Sequence, residues 1–423
     1  MPNLKPFALR ATATAAALLA TSAVTGAAAQ EVEIEYWQYF FDARVAAMEQ
    51  LIESFEEANP GITVTMTHFP YADYRTKVAA AIPAGEGPDV VQLFYGWLND
   101  YIEADLIQPL PEDAFPAAEV DEAYFPMVGA MKRDGQYYAL PTAVRSLALF
   151  YNERLLEEAG MEPPTTLDEL VEVAKATTER DGAGNVTQVG VTTGMTAQDH
   201  HWWREGLVRQ FGGEPYDETG AVAYDSEAGL KALQYYTDLE KTHGVTASSF
   251  MDEPQAAFKA GRAAMHIDGS FRIGALEEVR GLQWGVTELP ASADGVRSNY
   301  ASYWVNAITT KAEGERFDAA VKFMQHITSD EAMQLWLDVV GELPAKPSVG
   351  MTEQNAGDPV YGPFIRGLEY AHTTEFADES GQRDVLVDMV ARTDIEGQDL
   401  QASLTQAAEA EQKLLDDYAA RSN

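Results

Sequence analysis

Residues 32–66 read VEIEYWQYFFDARVAAMEQLIESFEEANPGITVTM. Polar and apolar residues alternate over 32–36, which predicts a strand, and a polar and aromatic loop is expected over 37–42. Apolar residues spaced three and four apart from Val45 to Phe55 then predict a helix with one buried face. A strand followed directly by an amphipathic helix is the first half of a β-α-β unit.

The chain next turns at Asn-Pro-Gly, residues 59–61, and the same alternation of elements continues. A strand is predicted over 62–66, a helix over 74–82 and a nearly apolar strand over 89–94. A strand that is apolar throughout is typical of a parallel sheet covered on both faces. The series therefore predicts an α/β lobe.

Later segments repeat this theme without repeating the sequence. The helix over 166–177 is expected to be capped by Thr165 or Thr166, and another runs from its cap Ser329 to a stop at Gly341. Further helices are predicted over 317–327 and 398–420. Further strands are predicted over 147–151, 186–191, 263–267 and 282–288.

The composition limits the possible functions. The chain has 423 residues, 29 Lys and Arg against 67 Asp and Glu, a net charge of −38 and no cysteine. This length favours two domains. The charge argues against nucleic acid and anionic membranes as partners and favours a saline habitat. The absence of cysteine excludes disulfides, thiolate metal sites and cysteine nucleophiles.

The first 29 residues have the pattern of a secretory signal peptide. Lys5 and Arg10 precede an uncharged run over 11–24, and Ala27 and Ala29 offer the small residues of a cleavage site before Gln30. The run is too short and too weakly apolar to span a membrane. No later segment has a membrane-spanning pattern, so the sequence predicts a freely diffusing periplasmic protein.

Catalytic and metal-binding motifs give no positive signal. The sequence has no nucleophile elbow, phosphate-binding loop, dinucleotide fingerprint or zinc-protease helix motif. The adjacent His200 and His201 are unsuited to sharing one metal ion, and no metal or cofactor is predicted. A secreted glycoside-active hydrolase using paired carboxylates stays open as an alternative, because so many acidic residues form chance pairs.

Aromatic residues in predicted loops are more informative. They lie over 37–41, 95–97, 201–203, 269–271 and 302–304, beside Gly, Ser or polar residues. Ligands of open α/β sheets bind outside the carboxyl ends of strands, where two of these loops are predicted. The face of a sugar ring stacks on an aromatic plane, and its hydroxyls need directed polar partners. These clusters therefore predict a pocket, although core or hinge packing is the alternative for each ring.

Several blocks, taken in order, resemble a known family. They are IEYW (34–37), FEEANPGITV (55–64), GPDVV (87–91), ADLIQPL (104–110), GQYYALP (135–141), LFYNERLLEEAG (149–160), PTTLDEL (164–170) and FKAGRAAM (258–265). The chain resembles the carbohydrate-type extracellular solute-binding proteins of ABC importers, in the maltose-binding-protein group. The resemblance covers nearly all of the chain after the signal peptide.

The resemblance implies a two-lobed periplasmic-binding-protein fold, each lobe a mostly parallel sheet flanked by helices. Crossovers are expected near Ala148, Val305 and Ala345. The N-terminal lobe would then hold 30–148 and 306–344, and the C-terminal lobe 149–305 and 345–423. It also implies that a monomer traps its solute by hinge closure and delivers it to permease subunits in the inner membrane.

The solute would be a sugar, oligosaccharide or sugar-like polyol, held by residues of both lobes because only contacts made in the closed state favour closure. The expected contacts from the first lobe are Gln38, Tyr39, Asp42, Tyr95, Trp97 and Glu342. Those from the second lobe and its crossover are Arg145, Trp202, Trp203, Ser270, Phe271, Tyr303 and Trp304.

Arg145 is the sharpest of these predictions. Its guanidinium could hold a pair of hydroxyls, a carboxylate, sulfonate or phosphate of the solute, or an acidic side chain across the hinge. A binder of an anionic solute such as a sulfonate or phosphodiester, with the same fold, is therefore a further alternative.

Overall fold

The computed structural model describes residues 31–247, 250–251 and 253–421. The predicted signal peptide, residues 1–29, lies outside the described residues. The strands are β1 (Val32–Tyr39), β2 (Ile62–Phe69), β3 (Val90–Phe94), β4 (Lys132–Arg133), β5 (Gln136–Tyr137), β6 (Ala139–Asn152), β7 (Glu179–Arg180), β8 (Val186–Val191), β9 (Ala263–Gly269), β10 (Trp284–Thr287), β11 (Asn299–Ile308), β12 (Leu343–Pro344) and β13 (Ala371–His372).

Helices cover both faces of this sheet system. They are α1 (Asp42–Ala58), α2 (Tyr71–Ala81), α3 (Leu98–Glu103), α4 (Ala117–Ala123), α5 (Glu153–Ala159), α6 (Leu167–Thr177), α7 (Asp199–His201), α8 (Val208–Gln210), α9 (Glu227–Lys241), α10 (Pro254–Lys259), α11 (Ile273–Glu277), α12 (Glu315–Ile327), α13 (Asp330–Val340), α14 (Pro347–Gly350), α15 (Glu353–Ala356), α16 (Gly362–Gly367), α17 (Glu379–Asp394) and α18 (Leu400–Arg421). A π-helical segment, Trp202–Leu207, joins α7 to α8. Among the described residues, none of these helices is both long and apolar enough to cross a membrane.

Two long strands connect the lobes. The sheet order is β2-β1-β3-β11-β6-β9-β8-β7. The first half of β6 pairs with β11, and its residues from Leu147 to Tyr151 pair with β9 on the other side of the molecule. β11 in turn pairs with β3 from Trp304 onward. The β1–β2, β1–β3 and β8–β9 pairs are parallel, whereas the pairs made by β6 and β11 with these lobe strands are antiparallel.

The buried apolar residues form two clusters. One runs from β1, β3 and α1 along the crossover strands and includes Phe55, Phe323 and Phe364. The other lies between β8, β9 and the last two helices and includes Trp203 and Leu404. The predicted two-lobed α/β fold is confirmed. The division of the chain at 148, 305 and 345 stays a prediction.

Local signals account for several elements. Strand β8 spans the predicted 186–191, and the Thr166 hydroxyl accepts a hydrogen bond from Glu169 N at the start of α6. Ser329 caps α13 in the same way, and Gly341 ends it with a φ of 74°. The loop predicted over 37–42 is wrong in part, because β1 stays paired with β2 as far as Tyr39 and α1 starts at Asp42.

Candidate functional site

A cavity of about 1050 Å³ lies between the lobes. Tyr39 and Phe41 border it from the carboxyl end of β1, and Ser270 and Phe271 from that of β9. Arg145, on the crossover strand β6, lies between these two groups. The remaining walls include residues 337–342 after α13 and Glu277, Glu278, Gln354, Asn355, Asp358 and Tyr361.

A buried ion cluster lies beneath the cavity. The Glu342 carboxylate accepts from Arg145 Nε at 2.7 Å, from Arg44 Nη2 at 2.5 Å and from Trp336 Nε1 at 3.0 Å. Burial alone would raise the pKa of Glu342, but the guanidiniums of Arg145 and Arg44 lower that pKa to about 2. Burial would lower the pKa of Arg145, but Glu342 and Tyr39 outweigh it and raise that pKa. Glu342 and Arg145 therefore both stay charged near neutral pH.

This cluster also fixes the aromatic ring of Tyr39. Arg145 Nη2 donates to the Tyr39 hydroxyl at 3.1 Å, and the Arg44 guanidinium lies 4.6 Å from the centre of the Tyr39 ring. The ring also packs on Trp304, with 4.3 Å between ring centres. Tyr39 is thus held by hydrogen bonding, cation–π contact and packing at the bottom of the cavity.

The sides of the cavity carry two exposed rings. Phe41 is 55% exposed and Phe271 is 39% exposed, although most other aromatic side chains of the chain are buried. The guanidiniums of Arg145 and Arg272 each lie 5.5 Å from the centre of the Phe271 ring. The Oγ of Ser270 is buried and has no hydrogen-bond partner in the described structure. The cavity therefore offers flat apolar faces beside the unsatisfied hydroxyl of Ser270.

The structure gathers five of the residues predicted from the sequence around this cavity: Tyr39, Arg145, Ser270, Phe271 and Glu342. Trp97 lines a separate cavity of about 380 Å³. Asp42 is an exposed residue of the first turn of α1. Tyr95, Trp304, Tyr303 and Gln38 are buried and do not line the cavity of about 1050 Å³. Contact of any of these residues with a solute stays a prediction.

Trp202 and Trp203 occupy a different place from the predicted loop. They belong to the π-helical segment and are 1% and 0% exposed, in the core of the second lobe. Trp203 packs edge-on against Tyr224 with ring centres 5.3 Å apart. The loop prediction over 201–203 is wrong because neighbouring Arg204 and Glu205 are also buried, which removes the helical alternation of polar and apolar residues. Residues 302–304 likewise lie inside β11.

Sequence reasoning missed two aromatic residues of the crevice. Phe41 belongs to the aromatic cluster over 37–41, but it was not among the expected contacts. Its position at the cavity depends on where β1 ends, which the sequence pattern placed too early. Tyr71, the first residue of α2, is 65% exposed. Its ring centre lies 5.6 Å from that of Tyr39 and 6.1 Å from that of Trp304, which places Tyr71 beside the cavity. No local pattern distinguishes Tyr71 from an ordinary surface residue.

The described residues contain no group of three His, Asp or Glu side chains arranged to hold a metal ion.

Comparison with known proteins identifies the protein family. The family described as bacterial extracellular solute-binding protein matches residues 50–360. This chain belongs to that family. The resemblance to the maltose-binding group is thereby confirmed, and the family's members are extracellular binding proteins.

Three similar proteins have informative names. The chain is 25% identical over 350 residues to a maltotriose-binding protein of Pyrococcus abyssi, covering 80% of this chain and 72% of that one. It is 22% identical over 358 residues to an sn-glycerol-3-phosphate-binding periplasmic protein of Yersinia pseudotuberculosis, covering 78% and 79%. The solved cyclic alpha-maltosyl-1,6-maltose binding protein of Arthrobacter globiformis is 20% identical, with a TM-score of 0.80 over 91% of this chain and 99% of that one. This last likeness concerns the fold.

Proposed function

We propose that this protein is the solute-binding component of an ABC importer and that it captures a sugar, an oligosaccharide or a sugar-like polyol. The observation that carries the proposal is the interlobe cavity of about 1050 Å³ with Phe41 and Phe271 exposed on its sides. A sugar ring presents a weakly polar face to such rings and hydroxyls to the polar groups between them. The maltotriose-binding relative supports a carbohydrate, whereas the sn-glycerol-3-phosphate-binding relative supports a phosphorylated polyol.

The charges of the cavity favour an uncharged solute over an anion. Arg145 is the only Lys or Arg among the described residues that line it, and two of its nitrogens already donate to Glu342. The carboxylates of Glu277, Glu278, Asp338 and Asp358 line the same cavity. A phosphate or sulfonate would therefore meet more negative than positive charge, whereas hydroxyls can donate to carboxylates and accept from the guanidinium.

The topology supports capture by hinge closure. The rings of Phe41 and Phe271 follow strands on opposite sides of the crossovers β6 and β11, so a solute touching both would join the lobes. The lobes would comprise 30–148 with 306–344, and 149–305 with 345–423. After loss of residues 1–29 the protein would act in the periplasm as a monomer and deliver its solute to permease subunits.

A thermal-shift screen tests the proposal. The panel holds maltose to maltotetraose, arabino- and galacto-oligosaccharides, myo-inositol, and the anions glycerol 3-phosphate and isethionate, because a ligand that binds only the folded protein raises the melting temperature. We expect an uncharged member to stabilise the protein and to be recovered unchanged. Stabilisation by the anions alone would favour the anion-binding alternative, and cleavage of a glycoside would favour a hydrolase.

A matched pair of variants then locates the site. Phe41→Ala should weaken binding of the uncharged ligand roughly tenfold, as expected for the loss of one stacked ring. Phe40 is its neighbour, is 42% exposed and packs on His68 instead of lining the cavity. Phe40→Ala should therefore leave the dissociation constant unchanged. Equal affinity of both variants and the parent would contradict the placement of the site.

A further inference from the structure

Two smaller cavities lie between the lobes, apart from the proposed solute site. One, of about 380 Å³, is bordered by Trp97, Asp100 and Glu103 of the first lobe and by Asp378 and Glu379 of the second. The other, of about 480 Å³, is bordered by Asn99 of the first lobe and by Glu205, Arg209 and Tyr216 of the second. Tyr418, two turns beyond Glu411 on α18, lines both cavities. Its side chain therefore lies between the two cavities.

Tyr418 also makes a direct contact between the lobes. Its hydroxyl donates to Asp100 Oδ1 of α3 at 3.2 Å. Asp100 in turn faces Arg75 of α2, with 3.5 Å between Arg75 Nη2 and Asp100 Oδ2. Burial raises the pKa of Tyr418, and Asp100 and Glu103 raise it further, so the hydroxyl keeps its proton and donates to this pair of carboxylates.

The rest of α18 is fixed to the second lobe. The Glu411 carboxylate is fully buried and accepts from Arg204 Nη2 at 2.9 Å and from the Tyr224 hydroxyl at 2.7 Å. Gln382 Nε2 of α17 donates to the same carboxylate at 3.0 Å. Because Tyr418 lies seven residues further along a regular helix, it is carried about 10 Å beyond this anchor and reaches the first lobe.

We propose that the end of α18 is a clasp, in which Tyr418 fastens the second lobe to Asp100 of the first and holds the lobes together in the solute-free protein. Without it, Asp100 and Glu103 face Asp378 and Glu379 across the same cavity, with Arg75 and Arg421 as the lining cations. A neutral hydroxyl can bridge such a site because it donates to a carboxylate without adding charge.

The distance between the lobes can be measured directly, since the chain has no cysteine. Ala80→Cys on α2 and Asp388→Cys on α17 place one spin label on each lobe, at exposed positions. Pulsed electron paramagnetic resonance of the solute-free protein then gives the populations of short and long distances. Tyr418→Phe removes the hydroxyl alone, and we expect it to lower the ratio of short to long distances roughly fivefold.

Two further variants make the result specific. Asp100→Ala leaves Glu103 as a second acceptor, so its effect should be smaller than that of Tyr418→Phe, and the double variant should lose no more than Tyr418→Phe alone, because every bond removed ends at the Tyr418 hydroxyl. Tyr235→Phe removes a hydroxyl that donates to Leu167 O at 2.9 Å within the second lobe, so it should leave the distances unchanged.

Unchanged distance distributions in folded Tyr418→Phe and Asp100→Ala proteins would overturn the clasp. So would a double variant whose effect is the sum of the two single effects. Circular dichroism establishes that each variant is folded, and Asp100→Ala decides the matter if Tyr418→Phe fails to fold. No solute is added, so the result does not depend on whether the protein binds a sugar.

Discussion

Replacing Glu342 by Gln tests whether the ion cluster beneath the cavity stabilises the fold. Glu342 is 4% exposed and Arg44 is 2% exposed, so the substitution leaves two guanidiniums without their counter-charge, one of them fully enclosed. Loss of one partner from a buried ion pair costs about 3–5 kcal/mol. The lowering of the Glu342 pKa from 4.5 to about 2 corresponds to about 3 kcal/mol of stability at neutral pH. These two estimates of the cost of Glu342→Gln agree.

The pH dependence gives this prediction a second, independent readout. Because the folded-state pKa of Glu342 lies below the unfolded value, its stabilisation is present above about pH 4.5 and is lost as the pH falls toward 2. The difference in unfolding free energy between the parent and Glu342→Gln should therefore be about 3 kcal/mol at pH 7 and should shrink as the pH falls from 4.5.

Urea unfolding at pH 7 and at pH 3 measures both effects. Glu331→Gln is the control, since Glu331 is an exposed residue of the neighbouring helix α13 and its loss should change stability by less than about 0.5 kcal/mol. A cost below about 1 kcal/mol for Glu342→Gln at pH 7 would refute the reasoning. So would an equal cost at the two pH values, because the effect would then not come from the charge of the carboxylate.

Two further outcomes follow from burial. Trp203→Ala should destabilise the protein by about 3–5 kcal/mol in urea unfolding, whereas Phe271→Ala should cost less than about 1 kcal/mol because its ring is 39% exposed; similar costs would contradict the placement of Trp203 in the core. Burial raises the pKa of Asp199 to about 6, so this group stabilises the fold fully below pH 3.8 and progressively less as the pH rises to 6. Asp199→Asn should therefore melt at a higher temperature than the parent at pH 7.5, and this advantage should vanish near pH 4; a lower melting temperature at pH 7.5 would contradict this.

Local patterns predicted α1, α2, α6, α12, α13 and α18 and the strands β1, β2, β3, β8, β9 and β10, because caps and periodicity act within a few residues, but they did not predict α9, α17 or β11. They failed at β6, where only 147–151 of Ala139–Asn152 was predicted. Pro141 and Arg145 interrupt the apolar pattern, and the strand is instead set by partners distant in sequence. Pro141 is tolerated because it sits beside an irregularity, where the register shifts between Trp304 and Val305 of β11.

The candidate site, like the fold, could be predicted from the sequence only in part. Tyr39 and Phe271 could be predicted at the cavity because they belong to aromatic clusters near the ends of strands. Ligands of α/β sheets bind at the carboxyl ends of strands. The partner of Arg145 could not be predicted, because Glu342 is 197 residues away and the chain offers many other carboxylates. Of the roles left open for Arg145, the structure shows an ion pair with Glu342 at the crossover.

The position of the two exposed rings follows from topology. Phe41 comes two residues after β1 and Phe271 two residues after β9, and these strands lie on opposite sides of the β11–β6 pair. Rotation of one lobe about this pair must therefore change the distance between the rings, while Arg145, on β6 itself, stays near the axis. A solute that touches one ring gains nothing from closure, whereas a solute that bridges both gains contacts only in the closed state. In the proposed hinge closure, the spacing of the two rings about the Arg145 guanidinium would therefore make closure depend on the size of the solute.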